Sequence, residues 1–137
     1  MKTNLDKSNL FCRINIQSAI PHNEFVGFIA DCVAGQSRWN SVTNETLDIP
    51  VDTNDSYDFE KSRTGKDRWL YFKYTLEIDP IEGVLRQHYI DSIAAFLESL
   101  WAKRVEAVAS CDFEELLPRN FRRMNWEISP RQETDRV

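Results

Sequence analysis

Carboxylates are the chemistry-bearing residues that this sequence gathers most densely. Between Trp39 and Glu60 stand six of them, Glu45, Asp48, Asp52, Asp55, Asp58 and Glu60, with no Lys or Arg among them. Tyr57 and Phe59 interleave with the last of these. A negative segment studded with rings draws in a basic macromolecule by long-range steering, and its rings supply anchors that bury on contact. A second group, Asp112, Glu114 and Glu115, follows Cys111. Clustered carboxylates do acid–base work when one raises the pKa of another. No nucleophile or ligand set accompanies these three. Asp112 therefore reads as a cap for the turn that follows, and the group as surface charge.

Other chemistry is thinly represented. Asp52 to Asp58 offers oxygen ligands for Ca²⁺ but lacks the central Gly and terminal Glu of an EF-hand loop. Cys12, Cys32 and Cys111 are an odd number at unrelated spacings and read as buried, reduced thiols. With only His22 and His88 in the chain, nothing requests a Cys–His nucleophile. The four glycines form no phosphate-binding loop. No metal and no cofactor is expected. A net charge of −5 argues against nucleic acid as a partner. The polar N-terminus lacks an apolar core, and no apolar stretch reaches the length of a membrane span, so the expected location is the cytoplasm.

The elements that must position the carboxylates follow from periodicity. Residues 10–18 alternate, with Cys12, Ile14 and Ile16 on one face, as in a half-buried strand. Pro21-His22-Asn23 offers a helix start, Phe25, Val26, Ile29, Ala30 and Val33 form a helical stripe, and Gly35 stops it. Leu47, Ile49 and Val51 alternate again, and Pro50 marks this strand as an edge. A long polar connection over 53–68 leads to the strongest alternation, Trp69 to Asp79. A helix is expected over 83–104, from the stripe Ile90, Ile93, Ala94, Leu97, Leu100 and Trp101, then a short strand over 105–111.

The order is β-α-β-β-α-β. It predicts an α+β fold of the ferredoxin-like kind, a four-stranded antiparallel sheet with two helices on one face. Its spatial strand order would be fourth, first, third, second. Residues 1–9 are expected to be flexible, 10–118 to form the single domain, and 119–137 to be a C-terminal extension with a disordered end. The uncovered sheet face would show Phe11, Arg13, Asn15, Trp69, Tyr71, Lys73 and Thr75. A partner, a second copy, or the tail through Phe121, Met124 and Trp126 would cover it.

Three segments carry a resemblance. Tyr71–Pro80, Tyr89-Ile90 with the helix end Leu97–Trp101, and Ala107–Pro118 are similar to small bacterial immunity proteins encoded beside polymorphic toxins. The resemblance spans residues 69–118 and departs in lacking glycines after Leu116-Leu117-Pro118. It implies a non-enzymatic inhibitor that occludes a cognate toxin, with no turnover. The contact residues expected here are Trp39, Asp48, Asp52, Asp55, Tyr57, Asp58, Phe59, Glu60, Asp112, Glu114 and Glu115. The alternatives are a small enzyme or ligand binder using the open sheet face, and a structural homodimer.

Overall fold

A computed structural model describes residues 10–119. The flexible start expected over 1–9, and the tail expected to cover the sheet or end in disorder, lie outside these residues. The strands are β1 (Cys12–Gln17), β2 (Gln36–Arg38), β3 (Ser41–Thr43), β4 (Leu47–Thr53), β5 (Tyr74–Pro80) and β6 (Glu106–Cys111). The helices are α1 (His22–Val33) and α2 (Arg86–Ala102). All pairings are antiparallel, and the six strands lie in the order β2-β3-β4-β5-β1-β6.

The fold is α+β, but the sheet has six strands where the periodicity predicts four. β2 and β3 are the additions, each three residues long. Too short to show an alternating pattern, they continue the sheet beyond β4. Pro50 therefore lies in an interior strand rather than at an edge. Pairing of β4 with β5 covers Leu47↔Pro80 and Asp48↔Asp79, then resumes at Val51↔Leu76. The ladder skips Ile49 and Pro50, the latter having no N–H to give, while Val51 N–H donates to Asn40 O at 2.8 Å on the other side.

The core forms where period-two and period-3.6 faces meet. Cys12, Ile14 and Ile16 of β1, Ile49 and Val51 of β4, and Leu76 and Ile78 of β5 are all fully buried. They join one cluster with Phe25 and Ile29 of α1 and with Ile90, Ile93, Leu97 and Leu100 of α2. Both helices thus lie on the same side of the sheet and touch each other. Phe25 stacks on Tyr74 with centroids 3.9 Å apart. His22 Nε2–H donates to Val51 O at 2.8 Å, tying the start of α1 to β4.

Both helices end with a non-glycine residue in the left-handed region, Ala34 (φ 53°) after α1 and Arg104 (φ 65°) after α2. In each, the next residue's N–H reaches back five residues: Gly35 to Ala30 O at 2.9 Å, and Val105 to Leu100 O at 3.0 Å. The left-handed residue that ends α1 is thus Ala34, one position before the glycine expected to stop the helix. Gly35 is a contact residue, because a Cβ there would lie 2.6 Å from Thr43 O of β3.

Candidate functional site

The helix-free face of the sheet is built by the alternate residues of the same strands. Arg13 and Asn15 of β1, Thr75 and Glu77 of β5 and Asp52 of β4 point away from the core. Half of this face is not bare. The segment between β4 and β5 folds back over it, and the expected strand from Trp69 is instead a 3₁₀ turn, Arg68–Tyr71, with β5 starting at Tyr74. Tertiary contacts override the aromatic alternation there. Asn15 Nδ2 donates to Trp69 O at 3.2 Å, and the buried Arg68 forms a two-pronged ion pair with Glu106 at the start of β6. Phe72 buries with Trp69, Trp101 and Val108.

Asn54 starts this lobe. Its side-chain amide donates to Leu70 O (2.9 Å) and Phe72 O (2.8 Å), and its oxygen accepts from the Ser56 N–H (3.0 Å). The asparagine thereby closes a loop of the kind that Asx side chains organise. Sequence reasoning passed over Asn54, although an Asn at a strand exit is the one available signal.

What stays open is a pair of clefts with Arg13 between them. The larger, about 570 Å³, is lined by Arg13, Asn15, Asp52, Asn54, Asp55, Thr75 and Glu77. The smaller, about 410 Å³, is lined by Phe11, Arg13, Ser110, Cys111, Asp112 and Glu114. Arg13 pairs with Glu77 at 2.7 Å, and its guanidinium lies 5.9 Å from the Phe11 ring centre. Both ion-pair partners are about half exposed, so the pair fixes a direction rather than adding much stability.

The expected contact residues do not converge on one spot. Asp52 and Asp55 line the larger cleft, and Asp112 and Glu114 the smaller. Glu115 is exposed in a 3₁₀ turn, Glu114–Leu116, whose N-cap position is Phe113 and carries no side-chain cap, so Asp112 does not cap it. Tyr57, Asp58, Phe59 and Glu60 belong to the lobe. There Asp58 Oδ1 accepts from Lys61 N–H at 2.9 Å, and Arg63 sits 5.2 Å over Phe59. Cations beside the rings reduce the negative character expected at this end. Trp39 is 92% exposed at the β2–β3 turn, with φ 58°, away from both clefts. Asp48 faces Asp79 across the β4–β5 pairing, a like-charge juxtaposition.

Among the described residues, Asp52, Asp55, Asp112 and Glu114 form no ion pair. Among the described residues no group of His, Cys, Asp and Glu is arranged to hold a metal ion, and no helix is long and apolar enough to cross a membrane. Comparison with protein-family models, with curated proteins and with solved structures finds no match to this chain.

Proposed function

We propose that this protein is a binding module that offers the open half of its helix-free face to a basic protein surface, and that it acts as an immunity protein by occluding a cognate toxin. One observation carries the reading. Two acidic segments about sixty residues apart in sequence flank the same face, on either side of Arg13, with Asp52, Asp55, Asp112 and Glu114 unpaired among the described residues. Unpaired carboxylates on one face steer a cationic partner and are desolvated only when it arrives. The exposed Phe11 and Leu70, beside the two clefts, supply apolar contact. Inhibition follows from occupancy and needs no turnover. The β4-β5-β1-β6 part of the sheet, with its two helices, supports a ferredoxin-like core to which β2 and β3 are an addition. A cytoplasmic location and a possible homodimer belong to the same reading.

The test uses the toxin domain that this reading expects to be encoded beside the gene. Binding is measured by calorimetry at low and high salt, for the native chain and for a variant carrying Asp52→Lys, Asp55→Lys, Asp112→Lys and Glu114→Lys. The reading expects affinity to fall with salt and to drop roughly a hundredfold or more in the variant. Unchanged affinity, or turnover of a small molecule lodged in the larger cleft, overturns it.

A further inference from the structure

Cys12 and Cys111 stand directly opposite each other on the antiparallel β1–β6 ladder. Residues so paired hold their Cα atoms about 4.5–5.5 Å apart, within the span of a disulfide. Both side chains lie on the core-facing side of that ladder, against one apolar cluster. Their access differs. Cys12 is fully buried, whereas Cys111, at the end of edge strand β6, is only partly buried.

We propose that Cys111 and Cys12 form an oxidant-responsive dithiol, in which a hydroperoxide reacts at the partly exposed Cys111 and Cys12 resolves the product as a disulfide. The Cys111 thiolate attacks the terminal peroxide oxygen. The O–O bond breaks, the alkoxide or hydroxide leaves and takes a proton from water, and Cys111 becomes a sulfenic acid. Cys12 then gives up its proton and attacks the Cys111 sulfur. The S–S bond forms, the S–O bond breaks, and the departing hydroxide takes up that proton as water. Two thiols lose two electrons in total, and one hydroperoxide is reduced to an alcohol and water.

The environment sorts the roles. Cys111 is drawn below the ordinary thiol range by the Cys12 hydrogen bond and by the Phe113 N–H, against opposing burial and the Glu114 and Asp112 carboxylates. Cys12 is pushed well up by the same shared hydrogen bond and by burial. The more acidic thiol is therefore the more accessible one, and the less acidic thiol is the hidden one. Cys32 on α1 is pushed up by burial and serves as the internal control.

The experiment treats the reduced full chain with hydrogen peroxide, alkylates, and maps unreduced peptides by mass spectrometry. The expected result is a fall from three alkylatable thiols to one, Cys32, with a Cys12–Cys111 peptide link inside a single chain. In Cys12→Ser, dimedone is expected to label Cys111. Three thiols still alkylatable in excess peroxide, oxidation first at Cys32, or linkage only between chains overturns the proposal. The wild-type peptide map decides this even if a variant fails to fold.

Discussion

Arg68 and Glu106 are 38 residues apart in sequence and joined by two parallel N–H···O bonds, with Arg68 Nη1 to Glu106 Oε1 at 3.0 Å. The arginine side chain is 9% exposed, and it also donates to Ser62 O at 3.1 Å. This pair latches the lobe between β4 and β5 onto edge strand β6. A fork-to-fork geometry suits a guanidinium and not an ammonium. Arg68→Ala is expected to lower unfolding free energy by about 2 kcal/mol, less than for a fully enclosed pair because Glu106 is partly wet. Arg68→Lys should recover less than half. Urea denaturation monitored by tryptophan fluorescence checks both.

The helix ends predict a pair of opposite effects. Ala34→Gly and Arg104→Gly relieve left-handed strain and are each expected to add about 0.5–1 kcal/mol. Gly35→Ala is expected to cost about 1–3 kcal/mol, because its methyl meets the Thr43 carbonyl oxygen at 2.6 Å and the β3 backbone must shift. Thermal midpoints of the three variants, measured together, should rise, rise and fall.

Asn54 closes the lobe through three side-chain hydrogen bonds, to Leu70 O and Phe72 O on its return arm and from the Ser56 N–H. Asn54→Ala is expected to cost about 1–3 kcal/mol locally. The readout is limited trypsin digestion, with cleavage at Lys61, Arg63 and Lys66 accelerating severalfold while the sheet amides keep their protection in hydrogen exchange. Uniform loss of protection across the sheet would contradict the role.

Stability should decline on the alkaline side. Tyr89 is raised far above its ordinary value by burial first, with the Cys12, Asp79 and Cys111 charges adding. Its hydroxyl donates to Ile78 O at 3.2 Å. A raised folded-state pKa gives stability that is complete below the unfolded-state value and is lost above it, as the unfolded chain sheds protons that the native state retains. The loss from Tyr89 therefore begins above about pH 10. Cys12 acts in the same sense from about pH 8.5. Cys111, lowered by its bond from Cys12, acts oppositely. Tyr89→Phe thus isolates the tyrosine. Urea midpoints followed from neutral to strongly alkaline pH should fall less steeply in that variant.

The elements with long periodic signals are the ones that periodicity locates. Cys12-Ile14-Ile16 and Leu47-Ile49-Val51 are strand faces, and the stripe from Ile90 to Leu100 is a buried helix face, trimmed to Arg86–Ala102. Two features escaped. β2 and β3 carry one buried apolar residue between them, Val42, and are held by their neighbours rather than by their own pattern. Trp69-Leu70-Tyr71-Phe72 alternates like a strand, yet forms a turn because Asn15 and Glu106 hold it from afar. At the site, the two acidic segments were readable as charge. That they share a face with Arg13 between them depends on strand register, which no local pattern encodes.

β2 also decides what the sheet margin can recruit. It runs only from Gln36 to Arg38, all three residues are exposed, and the chain reverses at once through Trp39. So brief and hydrophilic a border presents too few backbone donors and acceptors to template an incoming chain. Growth into fibrils from that side is blocked by brevity, and no charged gatekeeper beyond Arg38 is required.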